Sequence, residues 1–249
     1  MRKLGLRENQ LEELHKLAPA TLYATEVTVA PVVDGQTIPE QIWDPKAPEV
    51  SAGIPMIIGN TKDESTLFSR DETLFGLDDA EIRDRLVQTG ISGTDAGELI
   101  TLYRYDYPKD TPSDRWFRIA SDRALRRNVI RQAELKLEQA RANVYVYQFV
   151  WNTPVGNGRM KAFHTAELPL AMRVVAHAEA EALSRQISGA WAAFARNGSP
   201  NQPGGGAWPA YTKATRETMI FDAANSKVRK DPDGEQLSIL LRYPVNNLL

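Results

Sequence analysis

The chain has 249 residues, 42% apolar and 25% charged, with a formal net charge of −2 and no cysteine. That length and balance belong to a folded globular chain with a sizeable core rather than a disordered one. Near-neutral, interspersed charge gives no electrostatic basis for a nucleic-acid or anionic-membrane partner. The missing cysteine removes disulfides, thiolate catalysis and zinc–thiolate sites, and leaves the redox compartment open.

The N-terminus, Met1-Arg2-Lys3-Leu4-Gly5-Leu6-Arg7, turns charged again too early for a secretory apolar core. No apolar run approaches the ~20 residues that a helical membrane span needs. Compartment is therefore not legible. Leu11, Leu14 and Leu17 predict an amphipathic helix that ends before Pro19, and Pro19 suits the first turn of another. The β-branched stretch Val27–Val33 predicts a strand, with a turn at Asp34-Gly35. A proline-rich loop through Pro45 and Pro48 leads to a short run, Ile54–Ile58, that reads as a buried strand.

Helical pattern dominates next. Asp78 with Glu81 predicts a capping box and a helix through Leu86, Asp95 opens one through Leu102, and Pro112 begins a long helical region past Arg131 to Ala140. Arg123, Arg126, Arg127 and Arg131 alternate with Asp122 and Glu134, which reads as a solvated helix face. Asn143–Trp151 is apolar on both faces, the mark of a strand inside a helix-covered sheet. Leu183, Ile187, Trp191 and Phe194 form the core stripe of a long helix closed by Asn197-Gly198. A Gly/Pro-rich stretch, with Gly204–Gly206, precedes a strand at Thr218–Phe221 and a helix near Gln236–Leu241. The alternation, with no internal repeat and no linker, predicts one α/β domain over 1–249, a mostly parallel sheet flanked by helices, with an inserted helical region at about 70–140.

Two residues fall where open α/β sheets gather their chemistry, just beyond a strand's carboxyl end. Glu64 follows Ile54-Pro55-Met56-Ile57-Ile58-Gly59, and His164 follows the apolar run to Trp151 and a Gly/Asn/Pro loop. A lone Glu64 would read as an acid near a helix N-terminus, and a lone His164 as a structural donor to a backbone carbonyl. A carboxylate first and a histidine later is also the second and third step of a Ser…Asp/Glu…His triad. Asp63 is the alternative acid. Glu167, three residues past His164, reads equally as a first-turn acid or as a group behind the pair that steadies the loop. His15 and His177 lie in charged helical surroundings and read as structural.

No residue presents itself as the nucleophile. Gly90-Ile91-Ser92-Gly93-Thr94 nearly spells G-x-S-x-G, yet threonine replaces the last glycine, and the motif follows a charged helix where the elbow needs a strand. Gly204-Gly205-Gly206 lacks the histidine of an oxyanion-hole loop and reads as a surface turn. No Walker loop, dinucleotide fingerprint or H-E-x-x-H motif occurs, so neither cofactor nor metal is expected.

Several segments together resemble the type-B carboxylesterases, the carboxylesterase/lipase/cholinesterase group of α/β-hydrolases. Ala30-Pro31-Val32-Val33-Asp34-Gly35 with Ile38-Pro39 resembles the family's P-v-x-D-G…P hairpin. Ile54–Gly59 with Lys62-Asp63-Glu64 resembles its acid strand, and Ala162-Phe163-His164-Thr165-Ala166-Glu167-Leu168-Pro169 its histidine loop. Trp191–Asn201, Trp208-Pro209-Ala210-Tyr211 and Met219–Asp222 resemble its C-terminal signature. The resemblance runs from residue 4 to about 240. It implies Glu64 as triad acid and His164 as triad base. Ser65 stands where members commonly have glycine. The family's elbow and oxyanion-hole glycines lie in an N-terminal half, and this chain is expected to begin after it.

The resemblance implies a Ser-His-Glu carboxylic-ester hydrolase of which this chain holds the histidine and glutamate but no nucleophile, so the chain alone is expected to be inactive. The alternative is a truncated, non-catalytic module that binds. The expected partners are a small carboxylic ester and a complementary N-terminal half or self-association, with no nucleic acid and no membrane span. Phe68, Phe75 and Phe117 serve equally as acyl-pocket or ordinary core residues.

Overall fold

The computed structural model describes residues 1–25, 30–204 and 206–244, which fall into two units, Met1–Ile42 and Trp43–Leu249. In the first, the leucine stripe forms a 3₁₀ turn, Leu11–Lys16, and Pro19 opens helix α1 (Pro19–Ala24). Asp34 Oδ1 accepts the N–H groups of Gln36 and Ile38, both at 2.9 Å, closing the turn in which Gly35 takes φ 77°. The strand predicted at Val27–Val33 lies partly outside the described residues, and its described part, 30–33, forms none.

The second unit is built on a sheet of β1 (Met56–Thr61), β2 (Val144–Phe149), β3 (Glu217–Phe221) and β4 (Lys227–Lys230), in that order. β1–β2 and β2–β3 pair in parallel and β3–β4 antiparallel. The chain has an α/β fold with a mostly parallel sheet flanked by helices. Between β1 and β2 come α2 (Ser65–Phe68), α3 (Asp79–Gln88), α4 (Gly93–Asp106), α5 (Pro112–Ser121), a π-turn (Asp122–Arg126) and α6 (Arg127–Glu138). After β2 follow α7 (Leu168–Ala171) and α8 (Glu181–Asn197), and α9 (Gly234–Leu240) comes last.

The period-two pattern decides which helix meets which face. Val144 and Val146 lie with Met56 and Ile58 against Val129, Ile130 and Ala133 of α6. Tyr145, Tyr147 and Phe149 point the other way with Ile57, against Leu183, Ile187 and Trp191 of α8. A third cluster joins α3, α4, α5 and α9 through Ile82, Leu86, Leu99, Tyr103, Trp116 and Leu240. Helix ends follow local chemistry: Asp78 and Glu81 form the capping box of α3, Thr111 and Asp114 that of α5, and Gly198 closes α8 at φ 69°.

Three expectations are corrected. The strand expected at Ile54–Ile58 is shifted to Met56–Thr61, and its first four residues are only half-buried because β1 is an edge strand. The arginine face is solvated only at its far end: Arg123 and Arg126 are wholly buried and Arg127 and Asp122 nearly so, whereas Arg131 is exposed. The π-turn adds a residue to that turn of the helix and turns the side chains inward, toward α9 and β1. The antiparallel β4 is absent from the sequence reading because Lys227-Val228-Arg229-Lys230 has the alternation of an exposed edge and little apolar signal. Among the described residues, no helix is long and apolar enough to cross a membrane.

Candidate active site

Glu64 and His164, 100 residues apart in sequence, meet where β1 and β2 end: His164 Nδ1 lies 2.5 Å from Glu64 Oε2. Each loop is held by its own backbone. Lys62 N–H donates to Phe149 O at 2.9 Å, extending the β1–β2 ladder one step beyond the strand. Glu64 then starts the single turn of α2 and folds back, so that its Oε1 accepts the Thr61 N–H at 2.7 Å. In the β1–β2 register that N–H faces away from β2, so the carboxylate caps an edge donor with one oxygen and orients the imidazole with the other. On the histidine side, Thr153 and Lys161 form a β-bridge, and Thr153 Oγ1 donates to Lys161 O at 2.7 Å.

The two loops are clamped together. Asp63 N–H donates to Ala162 O at 2.9 Å, and Ala162 N–H donates to Asp63 Oδ2 at 3.3 Å. Thr66 Oγ1 lies 2.8 Å from Asp63 O and 2.9 Å from Met160 O. Asp63, the alternative acid, therefore points into the interior and does not meet His164. The side chain of Glu64 is 5% exposed and that of His164 38% exposed. The carboxylate is shielded while the imidazole edge bearing Nε2 faces outward, with no hydrogen-bond partner among the described residues.

Glu167 lies behind the pair. Its Oε1 accepts the Tyr147 hydroxyl at 3.1 Å, and its buried Oε2 has no partner. Burial raises its carboxyl above the usual carboxylate range, and the nearby charge of Glu64 adds to the effect. Burial and the Glu167 charge likewise push the Tyr147 hydroxyl up. Ser65, in the position the family usually gives to glycine, has a structural use here. Its hydroxyl donates to Phe117 O at 2.7 Å and its N–H donates to Ser121 Oγ at 3.1 Å, fastening the acid turn to α5.

The Phe68 ring lies beside the imidazole, tilted 45° to it with centroids 4.9 Å apart, and next to it opens a cleft of about 310 Å³ whose lining combines Phe68, Leu74, Trp116 and Phe117 with Arg70 and Asp71. Phe68 is 44% exposed on that cleft, whereas Phe117 is buried and Phe75 packs on it at 4.7 Å. Ser92 is far from this chemistry in role: it caps α4, accepting the Asp95 N–H at 3.1 Å. His177 packs edge-on against Trp151, and His15 is exposed in the first unit. Among the described residues, no group of three or more metal-ligating side chains occurs.

Sequence reasoning gave no role to a set of charged groups at and beside the two loops. Arg118 Nε donates to Asp110 Oδ2 at 3.0 Å, and its guanidinium lies 3.6 Å above the Tyr107 ring. Lys62 Nζ lies 5.3 Å from the same ring, and Lys161 Nζ 2.7 Å from Asp114 Oδ2. The only trace in the sequence is an arginine set among Trp116, Phe117 and Ile119.

The model of the carboxylesterase family matches residues 5–240. The para-nitrobenzyl esterase of Bacillus subtilis (strain 168) is 29% identical over 256 residues, covering 94% of this chain and 50% of that protein. The pyrethroid hydrolase Ces2e of Rattus norvegicus is 27% identical over 201 residues, covering 74% of this chain and 35% of that protein. Among solved structures, the carboxylesterase EST55 of Geobacillus stearothermophilus superposes with a TM-score of 0.75 at 31% identity, covering 96% of this chain and 52% of that chain. The chain thus spans about half the length of the relatives it matches most fully.

Proposed function

The chain belongs to the carboxylesterase family, and on that premise we propose that it carries the base and the orienting acid of a serine-type carboxylic-ester hydrolase, His164 and Glu64. The observation that carries this reading is the 2.5 Å contact between His164 Nδ1 and Glu64 Oε2, with Nε2 left facing outward. In this mechanism Nε2 takes the proton of a serine hydroxyl as its oxygen attacks the ester carbonyl, then returns it to the leaving alcohol. Glu64 keeps the proton of the neutral ring on Nδ1 and stabilises the imidazolium that forms. Glu167 is assigned behind the pair, where it steadies the histidine loop through its contact with the Tyr147 hydroxyl.

The domain reading goes with it: a single α/β-hydrolase domain over 1–249 to which both described units are assigned, with a helical insertion at about 70–140. No serine of this chain lies within hydrogen-bonding distance of the His164 ring among the described residues. The nucleophile and the oxyanion donors, the latter worth about 3–4 kcal/mol apiece to the transition state, are therefore assigned to a serine-bearing N-terminal half outside this sequence. The chain by itself is proposed to turn over little or no ester. A non-catalytic binding role is the alternative, and the alignment of Glu64 with His164 argues against it.

The test is turnover of a short-chain p-nitrophenyl ester. With a serine-bearing N-terminal half present, His164→Ala is expected to lower kcat by on the order of 10⁴-fold or more, and Glu64→Gln by less. His15→Ala and His177→Ala are expected to leave kcat unchanged. Robust turnover by the 249-residue chain alone, abolished by Ser92→Ala, would overturn the assignment.

A further inference from the structure

Helix α5 touches both loops of the catalytic pair, and the triad chemistry uses neither contact. On the acid side, the Ser65 hydroxyl donates to Phe117 O at 2.7 Å and the Ser65 N–H to Ser121 Oγ at 3.1 Å. On the histidine side, Lys161 Nζ lies 2.7 Å from Asp114 Oδ2. Asp114, Phe117 and Ser121 stand at positions i, i+3 and i+7, which share a face of the helix. The acid turn and the histidine loop are thus both fastened to one rigid element. The anchor on the histidine side is set before the lysine arrives. Asp114 is the third residue of α5, and the same Oδ2 accepts the Thr111 N–H at 2.9 Å in the capping box, which fixes the direction of the carboxylate. Lys161 takes φ 50°, a left-handed backbone that a lysine keeps only when its surroundings hold it there. Thr153 holds its carbonyl, with Oγ1 at 2.7 Å and N–H at 3.2 Å, and Asp114 holds its ammonium. The two side chains are only 19% and 17% exposed, so solvent screens this pair less than a surface bridge.

We propose that Asp114 is a positioning residue for His164, anchoring the histidine loop to α5 through Lys161. The residue after Lys161 is Ala162, whose N–H and carbonyl meet Asp63 of the acid turn, and His164 lies two residues beyond it. The backbone of Lys161 therefore sets where Ala162 meets Asp63 and where the imidazole meets Glu64. With its ammonium released, the left-handed turn at Lys161 relaxes, Ala162 shifts against Asp63, and the His164 Nδ1–Glu64 Oε2 contact lengthens.

This inference rests on the reading of Glu64 and His164 as a pair, and one experiment separates the two. A short Nδ1–H···Oε2 bond gives a far-downfield imidazole proton resonance in the NMR spectrum of the full 249-residue chain. Absence of that resonance from the parent, or its survival in Glu64→Gln, defeats the pair itself. In Lys161→Met, which keeps the stem without the charge and leaves the cap of α5 intact, the resonance is expected to move upfield and broaden. In Asp114→Ala it is expected to move as far, and in the double variant no further, since both substitutions break one contact. In Lys161→Arg, which still reaches the carboxylate, it is expected to stay. Thr111→Ala removes the other half of the capping box and keeps the ion pair, so it is expected to lower the melting temperature without moving the resonance. A folded Lys161→Met chain with the parent resonance overturns the proposal, and so does its loss from Lys161→Arg. A shift in Thr111→Ala as large as that in Asp114→Ala also overturns it, because the helix cap and not the ion pair would then hold the loop. Where Asp114→Ala does not fold, Lys161→Met decides alone.

Discussion

His164 and Glu64 have different surroundings: the carboxylate is shielded and doubly committed, while the imidazole is 38% exposed. Behind them Glu167 has an ionisation that opposes folding. A carboxyl whose folded-state pKa is raised holds its proton more tightly folded than unfolded. The folded state is therefore favoured at low pH and loses that advantage as pH rises through the raised value. Glu167→Gln keeps an oxygen for the Tyr147 hydroxyl and has nothing to ionise. The melting temperature of Glu167→Gln minus that of the parent is expected to rise as pH increases above the ordinary glutamate pKa of about 4. A difference independent of pH would mean that Glu167 ionises normally in the folded chain. The sequence offered Glu64 and His164 as candidates because both follow apolar runs, and the structure brings the two into contact. The burial of Asp63 was not, because adjacent acids in a sequence look alike until each side chain has a direction.

At the scale of elements, a glycine governs how β1 and β2 meet. A Cβ on Gly59 would lie 2.3 Å from the Tyr147 ring, whose other contacts include Trp191 at 5.2 Å. Tyr147 also holds Glu167, so Gly59 gives the ring the room that brings its hydroxyl to that carboxyl. Gly59→Ala is expected to lower stability by about 1–3 kcal/mol in urea unfolding, as overpacking does. A neutral result would show that the ring can move aside. Asp78→Ala removes one side of the α3 capping box and is expected to cost about 1 kcal/mol, while leaving the site untouched. The α3 cap was readable because capping depends on residues within one turn of each other. The inward turn of Arg123 and Arg126 was not, since a repeating charge pattern says which residues share a face and nothing of what that face meets.

The sheet as a whole has two dissimilar edges. β4 presents Lys227, Arg229 and Lys230 to solvent, charges that discourage further strand pairing. β1 presents Ile57 and Gly59, whose backbone groups face away from β2 in the parallel register. Beside them a cavity of about 420 Å³ is lined by Ile57, Tyr147, Trp191 and Phe194. An apolar edge of this kind invites strand addition. The 249-residue chain is expected to self-associate in light scattering, and Ile57→Lys to reduce that association without a large loss of melting temperature. In hydrogen exchange, the amides of Ile57 and Gly59 are expected to exchange much faster than those of β2. A monomer that binds no hydrophobic dye and protects both amides would mean that β1 needs no neighbour.

The sequence by itself determined the elements whose signals are local and periodic: the capped helices α3 and α5, the glycine-closed α8, and the two-faced apolar β2 at the centre of the sheet. It also determined which glutamate and which histidine follow strands, because strand, turn and polar residue are contiguous in the chain. Only the tertiary structure decided that β1 lies at an edge among the described strands, that Asp63 turns inward while Glu64 turns to His164, and that Arg118 is buried against Asp110 and the Tyr107 ring. Each of these is a relation between segments tens of residues apart, settled by which surfaces lose water together, and no pattern within a single segment encodes it.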